Sequence, residues 1–209
     1  MSLFKRQVLS YKKKNVGIFI FDEVEVLDFC GPFEIFSSTR ISKNSVANIH
    51  SLKPAFNVFT FTERKKTITT TGGLIVKSKY SFKDCPFLDI IVIPGGIGTR
   101  KLLKNKKIID WLKYNRNTDT IASICTGALL LAKAGLLENK KATTHWGALD
   151  LLKTISPSTR VLKNKRVVFD TYYTSAGVSA GLDLSLRIIE KILGKKIAKN
   201  TAKYVEYEY

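Results

Sequence analysis

Apolar and polar residues alternate along the chain in two patterns, one typical of buried strands and one typical of helices. Short apolar runs rich in β-branched and aromatic residues predict strands at residues 16–21, 56–62, 89–94 and 120–124. The segment 67–77 has the pattern of a short hairpin around a Gly-Gly pair. Residues 160–173 predict further short strands around a turn at 163–164.

Helical periodicity occupies most of the intervals between these strands. It predicts helices at residues 31–36, 99–114 in one or two pieces, 126–134, 146–153 and 178–193, with a last helix from about 197. Gly31 and Pro32 are expected to open the first helix. Because buried strands alternate with helices, we expect an α/β protein. Its mostly parallel central sheet would lie between two helical layers, in a three-layer α/β/α sandwich.

Length, composition and cysteine usage fit a single domain. The chain has 209 residues, 44% of them hydrophobic and 25% charged, and no linker or repeat divides it. We expect a basic N-terminal extension over residues 1–14 and one domain over 15–209. We find no apolar run long enough to cross a bilayer and no secretory signal, so we expect no membrane association. Three widely spaced cysteines give no disulfide framework, which favours a reducing compartment such as the cytoplasm.

The net charge of +18 raises the question of a nucleic-acid partner. The basic residues are dispersed, however, and no helix-turn-helix, zinc-finger or RNA-binding aromatic signature accompanies them. We therefore expect no specific nucleic-acid partner, although loose, salt-sensitive binding of polyanions is compatible with the charge. The only histidines are His50 and His145, and the cysteines form no C-x-x-C pair, so we expect no metal site.

Ligands of open α/β sheets bind beyond the carboxyl ends of the strands, and three sequence features fall there. They are the acidic segment after the first strand, the Pro94-Gly95-Gly96 turn and the segment 123–127. In the third, Cys125 is expected at the apex of a strand-to-helix turn, the geometry of a nucleophile elbow. The amino terminus of the following helix would stabilise a thiolate there. The alternative is a buried structural cysteine, which is how we interpret Cys30 and Cys85.

Four further features could complete a site around Cys125. Asp28, in an apolar frame, is either a helix-capping acid or a carboxyl held against Cys125, where burial and a nearby thiolate would favour its protonated form. The amides of Gly95, Gly96 and Thr126 could form an oxyanion pocket. His145 is either a hydrogen-bonded structural histidine or part of the substrate pocket. The small residues Ser175, Ala176 and Gly177 allow a close approach before the long C-terminal helix.

Five segments carry a resemblance to a known family when taken together in their order. They read F-D-E-V-E-V-L-D-F-C-G-P-F-E-I-F, I-V-I-P-G-G, S-I-C-T-G-A-L-L-L-A-K-A-G-L-L, A-T-T-H-W and T-S-A-G-V-S-A-G-L-D. From Val16 onward the chain resembles the ThiJ/PfpI superfamily, which has the class I glutamine-amidotransferase-like fold. Within it, L-D-x-x-G-P, I-C-T-G and A-T-T-H-W are most similar to the isonitrile hydratase branch. They are also similar to the amino-terminal sensor domains of some AraC-type regulators.

The resemblance implies a flavodoxin-like sandwich, a homodimer and a cysteine-dependent active site without a metal or organic cofactor. Cys125 corresponds to the family's nucleophile, Asp28 to its acidic partner and Thr126 to the residue after the nucleophile. Peptidase-like members have histidine in place of Thr126, which argues against peptidase activity. Gly95, Gly96, His145, Ala176 and Gly177 are expected to line the pocket for a small-molecule substrate.

The leading functional expectation is a hydro-lyase that converts an isonitrile to an N-substituted formamide. One alternative is a small-molecule or redox sensor, although only a short helix follows Gly194, where the regulators carry a helix-turn-helix. The other is glyoxalase-like or deglycase-like action on reactive aldehydes, which would use the same cysteine and acid. Asp rather than Glu at the acidic position makes that alternative less favourable.

Overall fold

The computed structural model describes residues 11–41, 52–64 and 67–209. A 3₁₀ turn at Trp146–Ala148 precedes one of the helices. The elements in chain order are β1 (Lys14–Phe19), α1 (Val26–Ser38), β2 (Phe56–Thr62), β3 (Thr67–Thr69), β4 (Ile75–Lys77), β5 (Tyr80–Ser81), β6 (Ile90–Ile93), α2 (Thr99–Leu102), α3 (Lys106–Tyr114), β7 (Thr120–Ile124), α4 (Gly127–Lys133), β8 (Lys141–Ala142), α5 (Leu149–Ile155), β9 (Arg160–Val161), β10 (Val167–Phe169), β11 (Tyr173–Ser175), α6 (Ala180–Leu193) and α7 (Lys195–Tyr204).

A seven-stranded sheet forms the centre, in the order β10-β11-β7-β6-β1-β2-β5. Its neighbouring strands are parallel except for β10, which runs antiparallel to β11. The register places Val16 of β1 opposite Val58 on one side and Ile90 on the other. All four residues of β6 are buried, as expected for a strand covered on both faces.

The helices cover both faces of this sheet. The chain crosses from β1 through α1 to β2 in one direction, and from β6 through α2 and α3 to β7 in the other. Because such crossovers are right-handed, opposite directions place their helices on opposite faces. Accordingly, α1 packs with α6 and α7, whereas α4 packs with α2, α3 and α5. The predicted three-layer α/β/α sandwich with a mostly parallel sheet is confirmed.

The first helix begins earlier than predicted. The prediction was a helix over 31–36 opened by Gly31 and Pro32, but α1 starts at Val26 and Pro32 lies inside it. A proline inside a helix costs about 3 kcal/mol. The helix also buries three apolar side chains on the two sides of the proline, Phe29, Ile35 and Phe36. Burial of each side chain contributes about 1.5–3 kcal/mol, so together they outweigh the cost of the proline. The longer helix brings Asp28 into its first turn.

Other boundaries differ less. β2 coincides with the strand predicted over 56–62, the hairpin forms as β3 and β4, and the helical segment 99–114 divides into α2 and α3. α6 begins two residues later than predicted because Val178 has φ 53°, which a right-handed helix does not accommodate. The two-residue strands β5 and β8 were not predicted, since such short segments show no periodicity.

The predicted basic extension falls largely outside the described residues, which begin at Tyr11. β1 already includes Lys14, so the sheet begins inside the predicted extension. The division of the chain into an extension and one domain stays a prediction. Within 11–41, 52–64 and 67–209, no helix has the length and apolarity needed to cross a membrane.

Gly17 is a close-packing position in the central strand β1. A Cβ atom there would lie 2.7 Å from Leu88 Cδ2 and 3.0 Å from Phe61 Cε1. We expect Gly17→Ala to lower the free energy of unfolding by about 1–3 kcal/mol through overpacking. Urea unfolding measures this, and the loss should be smaller in a Leu88→Ala background, where the nearest obstacle is gone. An equal loss in both backgrounds would contradict the packing explanation.

Candidate functional site

Cys125 occupies a sharp turn between β7 and α4 at the carboxyl end of the sheet. Its φ is 54°, in the left-handed region that costs a non-glycine residue about 1–3 kcal/mol. The turn is held by hydrogen bonds: the Cys125 amide donates to the carbonyls of Ser175 (3.2 Å) and Ala176 (3.1 Å). The Thr144 hydroxyl donates to the Cys125 carbonyl at 2.7 Å. Cys125 is 6% exposed, so this strand-to-helix turn, which we call the elbow, holds a nearly buried thiol.

Asp28 lies fully buried beside this thiol. Its Oδ2 accepts a hydrogen bond from the Gly95 amide at 2.9 Å, and its Oδ1 accepts one from the Val178 amide at 3.0 Å. The carboxyl group also interacts with the side chain of Cys125. The structure therefore brings together the two side chains that the sequence predicted at the centre of the site.

Burial keeps this pair protonated to unusually high pH. Loss of solvent raises the pKa of Asp28 to about 7, although the amides of Gly95 and Val178 and the Cys125 side chain oppose the shift. Burial, and then the charge of Asp28, raise the pKa of the Cys125 thiol to about 12. The pair therefore releases one proton near pH 7 and holds the other far above it. The sequence predicted a stabilised thiolate; the Thr126 amide does lower the Cys125 pKa, but burial outweighs it.

Gly95 and Gly96 let the loop after β6 approach the elbow closely. A Cβ atom on Gly95 would lie 2.5 Å from the Thr126 nitrogen, and one on Gly96 would lie 2.3 Å from the Glu23 carbonyl oxygen. The Gly95 amide donates to Asp28, and the Gly96 amide donates to Thr126 Oγ1 at 3.0 Å. Both amides are thus engaged within the protein in this structure, and their expected role towards a substrate anion stays a prediction.

A cleft of about 410 Å³ lies beside the elbow, and we call it the His145 cavity. Its lining includes three residues of the predicted pocket: His145, Ala176 and Gly177. Gly177 lies next to both the cavity and the sulfur, since a Cβ atom on it would lie 2.5 Å from His145 Cδ2 and 3.4 Å from Cys125 Sγ. His145 Nδ1 accepts from the Gly147 amide at 3.2 Å, which caps the 3₁₀ turn. His50 lies outside the described residues.

Sequence reasoning missed two residues that shape the site. Val178 supplies an amide to Asp28 from a φ of 53°, and no side-chain signal could reveal an amide donor. Thr144 anchors the elbow carbonyl, and its only signal was its place in the A-T-T-H-W segment. Among the residues that the structure describes, no group of three or more His, Cys, Asp or Glu side chains is placed to hold a metal ion.

The raised pKa of Asp28 makes stability depend on pH. The native carboxyl binds its proton more tightly than the unfolded chain, so the contribution is complete below the ordinary pKa of 3.8 and is lost as pH rises through about 7. The shift corresponds to about 4 kcal/mol. We expect the difference in unfolding free energy, wild type minus Asp28→Asn, to fall by about this amount between pH 4 and pH 8. Urea unfolding across that range tests it, and a pH-independent difference would contradict the assignment.

Comparison with known proteins identifies the family. The sequence profile of the DJ-1/PfpI family matches residues 14–191. Isonitrile hydratase of Pseudomonas putida is 31% identical over 195 residues, which cover 92% of this chain and 78% of that protein. The HTH-type transcriptional regulator CdhR of Pseudomonas aeruginosa is 30% identical over 132 residues, which cover 63% of this chain and 39% of the regulator.

A solved structure gives the same result. The crystal structure of a ThiJ/PfpI family protein from Pseudomonas syringae matches with a TM-score of 0.83 and 25% identity, covering 100% of this chain and 81% of that one. The resemblance seen in the sequence motifs is therefore confirmed. Because the profile spans most of the chain and a relative above 30% identity covers nearly all of it, the chain belongs to the DJ-1/PfpI family.

Proposed function

We propose that this protein hydrates an isonitrile to an N-substituted formamide, with Cys125 as the nucleophile and Asp28 as the proton carrier. The observation that carries the proposal is the burial of the Cys125 thiol, at a strained turn, beside the Asp28 carboxyl group with which it interacts. The terminal carbon of an isonitrile must gain both a nucleophile and a proton to become a formyl carbon. The Cys125 sulfur can supply the nucleophile, and the proton that the pair still holds above pH 7 can supply the second requirement.

The first half of the reaction joins the substrate to the enzyme. The sulfur of Cys125 forms a bond to the terminal isonitrile carbon, and the proton of the Cys125–Asp28 pair passes to the same carbon. The product is a thioimidate, R–N=CH–S–Cys125, and Asp28 is left as a carboxylate. The amides of Gly95 and Val178 already donate to both carboxylate oxygens, so the charge that appears on Asp28 is stabilised without rearrangement.

The second half uses water. Asp28 accepts a proton from the water molecule while the water oxygen bonds to the thioimidate carbon. Asp28 then passes this proton to the substrate nitrogen and is again a carboxylate. In the resulting tetrahedral intermediate the carbon–sulfur bond breaks, the hydroxyl proton leaves through Asp28, and the sulfur regains it. The formamide R–NH–CHO departs and the thiol is restored, so one water molecule is consumed per turnover and no cofactor is required.

We also propose that the protein acts as a homodimer on a small-molecule substrate in the reducing cytoplasm. All three cysteines are free thiols, which supports a reducing compartment. Family membership supports the dimer, and the family also supplies the relative that hydrates isonitriles.

A sensor function is the second candidate, because a transcriptional regulator is among the relatives. A sensor that binds a small ligand would use the same site without turnover. A peroxide sensor is less well supported: the raised pKa of the Cys125 thiol keeps it protonated, and the thiol reacts with peroxide far more slowly than the thiolate. Action on reactive aldehydes would require the same two side chains, and turnover of dicarbonyls by wild type and variants tests for it.

The test is turnover of simple alkyl isonitriles and of dicarbonyls by wild type and variants. We expect formamide production to fall by at least about 1,000-fold in Cys125→Ala, which lacks the nucleophile. Asp28→Asn should lose roughly 100- to 10,000-fold because it cannot carry the proton. Cys85→Ala, which removes a free thiol in the loop between β5 and β6, is the matched control and should keep wild-type rates.

Two results would reject the proposal. Undiminished formamide production in Cys125→Ala would exclude the nucleophile. Turnover of dicarbonyls but not of isonitriles, lost in the same two variants, would establish the aldehyde reaction instead.

A further inference from the structure

The His145 cavity is placed to hold the part of a substrate that does not react. Its lining includes Gly177, where a Cβ atom would lie 3.4 Å from Cys125 Sγ, and its volume of about 410 Å³ falls within the range of small-molecule sites. The reacting isonitrile group is very small, so such a cavity would accommodate the substituent on its nitrogen. The inference that follows rests on the proposed hydration reaction.

The charged side chains that line this cavity are all basic. The lining includes Lys165 and Arg166 and contains no Asp or Glu. Arg166 is neutralised by Asp183, whose Oδ2 accepts from Arg166 Nε at 2.8 Å, and its guanidinium also donates to Ser179 Oγ at 3.2 Å. Lys165 has no acidic partner among the residues that the structure describes. The cavity therefore has one available cation.

The rest of the cavity adds an apolar wall. Trp146 is 81% exposed at its edge, and Leu149 lies beside it in the lining. A lining that combines apolar side chains with a single unpaired ammonium group fits a short hydrocarbon chain that ends in an anion. The net charge of +18 acts in the same direction, because a strongly basic protein concentrates anionic substrates at its surface.

We propose that the His145 cavity binds a carboxylate on the substituent of the substrate nitrogen, with Lys165 as the residue that recognises it. The substrate class is thus an isocyano carboxylate, and the product is the corresponding formamido carboxylate. Lys165 sets specificity and takes no part in bond making, which remains with Cys125 and Asp28.

The test compares 4-isocyanobutanoate with its neutral methyl ester. We expect kcat/KM for the carboxylate to exceed that for the ester by about 5-fold or more in wild type, the size of a partly exposed ion pair. The preference should vanish in Lys165→Gln and shrink at high salt. Lys163→Gln is the matched control: Lys163 is exposed in the same turn but is not part of the cavity lining, so this variant should keep the preference.

A binding measurement separates this inference from the hydration reaction. The Cys125→Ala variant is titrated with 4-formamidobutanoate, and we expect weaker binding when Lys165→Gln is added. If 4-formamidobutanoate binds and Lys165→Gln weakens its binding, but neither isonitrile is turned over, the hydration proposal is overturned and the carboxylate site is retained. Turnover of both isonitriles with equal kcat/KM, or a preference that survives in Lys165→Gln, would overturn the carboxylate site and retain hydration.

Discussion

The site is built around the interaction of the buried Asp28 carboxyl group with the Cys125 thiol. A carboxylate without solvent is unfavourable unless donors surround it, and the described part of the chain gives Asp28 two backbone amides and the Cys125 side chain. The pair therefore still holds a proton at neutral pH, on the Cys125 thiol once Asp28 has ionised near pH 7. A histidine–cysteine pair would stabilise a thiolate with a cation; this pair instead keeps a proton beside the Cys125 sulfur.

Two strained turns hold that pair in place. Cys125 and Val178 both have φ near 54°, and strained backbone of this kind persists only when the surroundings fix it. Arg166 contributes to fixing the second turn, because its carbonyl accepts from the Ala176 amide at 2.9 Å and its guanidinium binds Asp183 on α6. Gly95 completes the arrangement by allowing the loop after β6 to contact the elbow. The backbone thus positions the chemistry as much as the side chains do.

The sequence predicted the parts of this arrangement that leave a local pattern. Buried strands such as 56–62 show in their apolar residues, and Cys125 stands out because a strand leads directly into a helix around it. The amide of Val178 could not be predicted, since any residue type supplies an amide and only tertiary packing decides where it points. The direction of the Cys125 pKa shift was wrong for a related reason: a helix terminus is visible in sequence, whereas the burial that outweighs it is not.

The ionisation of Asp28 can be measured on its own. Carbon-13 NMR of protein labelled at the aspartate carboxyl carbon follows its titration, with Asp28→Asn identifying the signal. We expect a midpoint at about pH 7 in wild type and a higher midpoint in Cys125→Ala, because that variant loses the thiol that opposes the shift. A midpoint near the ordinary value of 3.8, unchanged in Cys125→Ala, would contradict a buried Asp28 carboxyl group that interacts with Cys125.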